Sequence, residues 1–503
     1  MKFTVKCRSI AMIVAVISLF FTASLNAFAY DLEKKVKKFT LKNGLKVLIV
    51  ERHLSPTASF YIRYKVGAAD EADSHTGTAH LLEHMLFKGT KTIGTTSYSK
   101  ERRILAERDD AINALDLEKI KGDRGDKKKI DRLEEQLRLL QKEAKKYIVE
   151  NEIDRLYTEN GGIELNASTG YDVTTYHVSL PSNKVELWAR IEADRMLNPV
   201  FREFYSERNV VMEERRQTIE SNPDRKLMEQ FLAGSFIVHP YRRPVIGWAP
   251  DMPFLNIDYM KSFHKTYHAP NNTVIAIVGD VSSPQVMTII EQYFGNIPYQ
   301  DIPVKNIPEE PTQMGERRIE YVSDSNPQLY IGYHKPTLPS FDDYAFDIID
   351  TILSRGRTSR LFKSLVTEKG IATKADTANG LPGARYPNLF AIFATPRQPF
   401  TVKNLEEAIY EELERLKNEL VDEREIAKAK NQLKADFLRG LKSNSGLAST
   451  LSYYEVITGD YRYITNHIQY IEKITARDIM RVANKYLTRE NRTVAELVKK
   501  ENK

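Results

Sequence analysis

The residues of this sequence most suited to chemistry are two histidines four positions apart with a glutamate between them, His80-Leu81-Leu82-Glu83-His84. On a helix, positions i and i+4 lie one turn apart on one face, so both imidazoles can point at a single ion. Glu83, three residues from His80 and next to His84, stands beside that face and close to any water on the ion. This is the inverted order of the H-E-x-x-H metallopeptidase helix. Zinc held there lowers the pKa of a bound water to about 7 and polarises the carbonyl under attack, and Glu83 takes up the water's proton. The bland alternative is a chance match on an amphipathic helix, and the motif's place on a predicted helix weighs against it.

Two histidines leave a catalytic zinc one protein ligand short. Downstream, Glu207-Arg208-Asn209-Val210-Val211-Met212-Glu213-Glu214 offers carboxylates seven residues apart, two turns along one helical face. One of them can bind the metal and the other support it. Spacing does not choose between Glu213 and Glu214.

These residues need a scaffold, and the pattern predicts one. Alternation from Lys37 to Val50 around Asn43-Gly44 reads as a hairpin, and Ala58 to Val66 as a further strand. Helical periodicity covers Thr78 to Phe87 between Gly77 and Gly89. A long charged segment from about Tyr98 to Tyr157 reads as two helices with a tip at Gly122-Asp123-Arg124-Gly125. Leu133, Leu137, Leu140, Ala144 and Tyr147 form its coiled-coil-like seam, and its other charges read as a solvated face. One strand is expected over Ile163–Val178, helices over Val185–Leu197 and Phe204–Ile219, and a strand over Thr273–Val278. Residues 301–316, rich in proline and acid, read as a linker.

Beyond the linker the pattern restarts, with a strand near Gln328–Tyr333, helices at Asp342–Leu353 and Leu405–Leu416, and a terminal helix-strand unit. Asp258, Tyr267 and Asn272-Thr273-Val274 are echoed by Asp478, Tyr486 and Asn491-Arg492-Thr493-Val494. Duplication is the economical explanation. The fold class expected is therefore α+β: two homologous-looking α/β-layer domains, each an antiparallel-rich sheet packed by helices, with a helical hairpin inserted in the first at about residues 99–158. The boundaries read 30–300 for the first domain, 301–316 for the linker and 317–503 for the second.

The 503-residue chain is too long for one ordinary core, and 42% hydrophobic with 28% charged residues excludes a disordered or collagen-like chain. A formal net charge of +6 does not indicate a nucleic-acid surface. Residues 1–29 read as a secretory signal: Lys2, Lys6 and Arg8, an apolar run from Ile10 to about Ala23, and the small-residue site Ala27-Phe28-Ala29. The single cysteine, Cys7, lies inside it, so disulfides and cysteine nucleophiles are excluded from the processed chain. A signal of this type on a cysteine-free chain points to export, with the bacterial periplasm as the expected address and no stable membrane insertion after cleavage.

Thr78-Ala79-His80-Leu81-Leu82-Glu83-His84-Met85-Leu86-Phe87-Lys88-Gly89-Thr90, Asn166-Ala167-Ser168-Thr169 and Glu207 to Glu214 together resemble the pitrilysin family of zinc metallopeptidases, which includes insulin-degrading enzyme and the mitochondrial processing peptidase. The resemblance extends over nearly the whole chain, through His239-Pro240-Tyr241-Arg242-Arg243-Pro244-Val245-Ile246-Gly247 and Gly279-Asp280. It implies one zinc per chain on His80, His84 and Glu214, with Glu83 as general base and Glu207 supporting the ligands from behind. It also implies that the strand bearing Asn166 and Ala167 is an edge that pairs with substrate backbone. The expected activity is endopeptidase cleavage of peptides or unfolded segments. The alternative is a non-catalytic peptide-binding or scaffold subunit of the same family.

Two departures stand out. The charged hairpin places Glu207 and Glu214 much further along the chain from His84 than in typical members. In addition, Val366 or Thr367 stands where the family carries an Arg, and Thr373 where it carries a Tyr, groups that help stabilise the tetrahedral intermediate. Losing such a donor costs about 10²–10³ in rate. A related subunit lacking HxxEH is therefore the expected partner, in a heterodimer, with a homodimer as the other arrangement.

Overall fold

The computed structural model describes residues 32–303 and 307–499, so the expected leader, with Cys7, lies outside the described residues. Before the linker the chain runs β1 (Val36–Thr40), β2 (Lys46–Glu51), β3 (Thr57–Tyr64), α1 (Thr78–Met85), α2 (Tyr98–Lys119), α3 (Lys127–Ala144), α4 (Glu152–Glu159), β4 (Ile163–Thr169) and β5 (Thr174–Pro181). It continues with α5 (Val185–Leu197), α6 (Phe204–Arg215), α7 (Pro223–Ser235), α8 (Ile257–Tyr267), β6 (Thr273–Gly279) and α9 (Ser283–Phe294). After the linker come β7 (Arg317–Ser323), β8 (Gln328–Lys335), α10 (Phe341–Ser354), β9 (Ala372–Leu381), β10 (Asn388–Pro396) and α11 (Val402–Asn418). The chain ends with α12 (Glu423–Gly440), α13 (Asn444–Thr458), α14 (Tyr463–Lys473), α15 (Ala476–Tyr486) and β11 (Arg492–Lys499).

The strands form two sheets, ordered β1-β2-β6-β3-β5-β4 and β7-β11-β8-β10-β9. With β1 set aside the two orders coincide. In each, one pair is parallel (β2 with β6, β7 with β11) and the rest are antiparallel. The sequence echo now has a structural meaning. Asn272 Nδ2 donates to the carbonyls of Tyr267 and Lys65, and Asn491 Nδ2 to those of Tyr486 and His334, so each asparagine ties the end of a helix to the end of a strand.

Both faces of the first sheet are covered, as the near-continuous apolar run of β2 requires. Val47 and Ile49 join the core shared with α1 and α5, whereas Leu48 and Val50 pack under Leu447, Ala448 and Leu451 of α13, which comes from the other half of the chain. The first half reciprocates with α7, whose Leu227 and Phe231 lie on Leu389, Ala391, Ala495 and Leu497 of the second sheet. Gly332 makes room there, since a Cβ would stand 2.6 Å from the Phe231 ring.

Three expectations change in detail. The single strand over Ile163–Val178 is two, β4 and β5, reversing at Gly170 to Val173, where Gly170 N donates to Val173 O. The alternating pattern ran through a turn that needs only a glycine and an aspartate to form. The α-helix expected to Ile219 ends at Arg215 and widens into a π turn over Arg216–Glu220. In the hairpin, Leu133 and Leu137 bury against Ala111, Ile112 and Leu115, but Tyr147 lies beyond α3, its carbonyl accepting from Thr96 N.

Candidate metal centre

Helix α1 is fixed at both ends before any ligand is considered. Its first N–H groups have no intrahelical partners, and the buried Glu71 carboxylate accepts from Gly77 N at 2.9 Å and Ala79 N at 2.7 Å. Burial outweighs these bonds and pushes Glu71 up to about 8. Gly77 enters the helix at φ +92°, with Ile246 O only 2.6 Å from where a Cβ would be, so the chain needs glycine there. Beyond the C-terminal end, Arg195 donates to Leu86 O at 3.1 Å, pairs with Glu192 and lies over the rings of Phe87 and Tyr176.

The hairpin holds α6 in place. Buried Arg202 pairs with Glu101 at the start of α2 and donates to Lys88 O and Thr90 O, tying the segment after α1 to the hairpin. Arg208 of α6 pairs with Asp116 of α2 at 3.2 Å. At the far end of α6, Arg215 donates to Gly247 O at 2.7 Å and pairs with Glu229. The same Ile246-Gly247 backbone abuts Gly77, so one loop braces both α1 and α6.

On this frame His80, His84 and Glu214 converge, with ligand atoms all within 4.8 Å of one another. Glu214 Oε1 lies 3.8 Å from His80 Nε2 and Oε2 lies 3.7 Å from His84 Nε2. These gaps exceed hydrogen-bond length and approach the edge of about 3.3 Å expected of a tetrahedron around zinc. Two imidazoles and a carboxylate are also the donor set of a catalytic zinc. Burial, with His84 nearby, holds the His80 imidazole at about 4, so the ring is uncharged at neutral pH, the form that binds metal. Glu213 turns away to solvent and pairs with Arg216, so the geometry separates the two carboxylates that spacing left equivalent.

Glu207 stands behind this trio. Its Oε1 is 3.0 Å from His84 Nδ1 and its Oε2 is 2.6 Å from Lys88 Nζ. Burial alone would raise this carboxyl, but the bonds from His84 and Lys88 prevail and hold it at about 2. In return the Glu207 bond raises His84. Such a partner fixes the tautomer, leaving Nε2 free to bind.

Glu83 leans the other way, toward β4, where Thr169 Oγ1 donates to its Oε2 at 2.5 Å. Burial raises Glu83 despite this bond. Strand β4 is the edge of its sheet, with Asn166 opposite His177 and Ala167 opposite Tyr176 on β5 and the outer side unpaired. A cavity of about 770 Å³ opens beside the centre, lined by His80, Thr169, Tyr171 and Glu214 and reached from the second half by Leu381 and Pro382. Val366, Thr367 and Thr373 do not line it. Val366 packs on the second core, and Thr373 hydroxyl donates to Thr395 O.

Sequence reasoning gave no role to Thr169, Lys88 or Glu71. Lys88 lies four residues after His84 but beyond the end of α1, so helical spacing did not mark it. Glu71 sits in an irregular segment and gave no signal.

Comparison with known proteins agrees with this architecture. The model for insulinase (peptidase family M16) matches residues 46–111 and 137–248, and that for the peptidase M16 inactive domain matches residues 255–433. The interruption falls on the outer part of the hairpin. The zinc protease PqqE of Helicobacter pylori is 27% identical over 473 residues, 92% of each chain. The crystal structure of a protease from Helicobacter pylori superposes with a TM-score of 0.77 at 26% identity, over 92% of this chain and 99% of that one. The periplasmic protease PqqL of Escherichia coli shares the fold, with a TM-score of 0.67 at 15% identity, over 92% of this chain but 47% of that one. With two M16 models across its two halves and a zinc protease aligned along its length, this chain belongs to peptidase family M16.

Proposed function

We propose that the protein is a zinc-dependent endopeptidase that cleaves peptides or unfolded segments, with His80, His84 and Glu214 as ligands. The observation that carries this reading is the convergence of those three donors within 4.8 Å beside Glu83 and an open sheet edge. When bound, zinc supplies Lewis acidity, polarising the scissile carbonyl and acidifying a water. Thr169 holds one oxygen of Glu83, leaving Oε1 to take the attacking water's proton and pass it to the leaving nitrogen. Glu207 fixes the His84 ring, and Lys88 keeps Glu207 ionised. The outer edge of β4, at Asn166 and Ala167, hydrogen-bonds an extended substrate main chain. Recognition of backbone suits varied sequences, and a cavity of about 770 Å³ is too small for a folded protein.

The segment around Val366, Thr367 and Thr373 brings no Arg-Tyr pair to the cavity, whose Tyr171, Arg225 and Arg242 come from the first half of the chain. A related subunit without HxxEH supplies these groups, and the longer PqqL chain, of which this one spans 47%, suits a doubled arrangement. The export signal read in residues 1–29 supports a periplasmic site of action.

Metal analysis of the purified protein and of Glu83→Gln tests the chemistry. One zinc per chain in both, with cleavage lost only in the variant, is the expected result. Absence of zinc and of cleavage would leave the scaffold reading. Cleavage by the single chain as fast as in any mixture with a family partner would refute the heterodimer.

A further inference from the structure

The hairpin of α2 and α3 supports the metal centre through Glu101 and Asp116, and beyond Asp116 its far end has a distinct surface. Helix α2 extends about 33 Å, and at its end Leu117 and Ile120, three residues apart on one face, are 66% and 63% exposed. Around them stand Lys121, Arg124, Lys127, Lys128 and Lys129. Asp123 and Asp131 are exposed among these cations, which still outnumber them, and the other acids nearby are engaged internally. Glu118 is buried, accepts from Asp126 N and pairs with Lys121 and Lys129, while Asp126 caps α3 through Lys129 N. Among the described residues no ion pair engages Arg124, Lys127 or Lys128.

Apolar side chains that protrude amid free cations are costly in water and are neutralised by a surface that is anionic outside and apolar beneath. A protein partner needs about 800 Å² on each side, and a convex tip of about a dozen residues does not offer it. Helix α2 is pinned to the body along its length, by Arg202–Glu101, Lys261–Asp109 and Arg208–Asp116, the last of these one residue before Leu117, so contact at the tip orients the whole molecule. Among the described residues no helix is long and apolar enough to cross a membrane, so the contact is peripheral.

We propose that the hairpin tip docks on an anionic phospholipid surface, with Leu117 and Ile120 entering the headgroup region and Arg124, Lys127 and Lys128 meeting lipid phosphates. This surface is independent of the proposed peptidase chemistry.

Cosedimentation of the processed chain with phosphatidylcholine vesicles, with and without phosphatidylglycerol, tests it. Retention on the anionic vesicles alone, weakened by salt, is the expected outcome. Each cation lost weakens binding about five-fold, so R124E/K127E/K128E loses about a hundred-fold or more. L117S/I120S loses about ten-fold at every salt concentration. The charge-conserving R124K/K127R/K128R binds like wild type, and unchanged circular dichroism shows that all variants fold. The proposal is overturned if anionic vesicles retain nothing, or if charge reversal has no effect. It is equally overturned if L117S/I120S binds as well as wild type, because the tip would then be attracting polyanions without entering lipid.

Discussion

Glu207 bridges His84 and Lys88, one carboxylate oxygen 3.0 Å from the imidazole Nδ1 and the other 2.6 Å from the ammonium. Glu207→Gln keeps the shape but removes the charge, and carboxylate partners of this kind are worth about 10–100-fold in metal affinity. Competition with a chromogenic chelator should show zinc binding weakened by that factor. Glu213→Gln, at a residue paired only with Arg216 and Gln217 in solvent, should show no change.

Thr169→Val removes the hydroxyl that orients Glu83 while preserving the strand. A hydrogen bond to a charged group contributes about 1.5–3 kcal/mol. Steady-state kinetics should show kcat lower by about ten-fold or more, with zinc content unchanged. A loss of metal in this variant would instead mean that Thr169 supports the ligand helix.

Arg202 and Glu101 are fully buried against each other. Glu101→Ala strands the guanidinium without its counter-charge, which costs about 3–5 kcal/mol. Urea unfolding followed by tryptophan fluorescence should show a clear fall in the midpoint. The exposed pair Arg103–Glu107, one turn along, should contribute less than about 1 kcal/mol when broken.

Acid should loosen the fold through His264 and His268, stacked against each other and buried, with His264 Nε2 and both ring nitrogens of His268 unpartnered. Burial lowers His264 to about 4 and, with His264 and Arg195 nearby, His268 well below its usual value. The unfolded chain takes up these protons below about pH 6.5 while the folded chain refuses them, so stability is intact above that pH and falls below it. The slope is about 1.4 kcal/mol per pH unit for each histidine. Urea midpoints between about pH 7.5 and 5 should decline less steeply for a His264→Leu/His268→Leu variant.

The sequence by itself determined the chemistry-bearing helix, because i and i+4 spacing on eight residues of helix is local geometry, and it marked the duplication through Asn272 and Asn491. It likewise fixed the hairpin, whose leucine period is a property of two contiguous helices. Helical spacing left Glu213 and Glu214 equivalent and only the family resemblance chose Glu214; the tertiary structure supplies the physical reason, since Arg208 and Arg215 set the rotation of α6 against its neighbours. Only the tertiary structure placed Thr169 beside Glu83 and exchanged α7 and α13 across the two sheets. These contacts join residues far apart along the chain, and nothing in a local pattern encodes which distant surface a helix will meet.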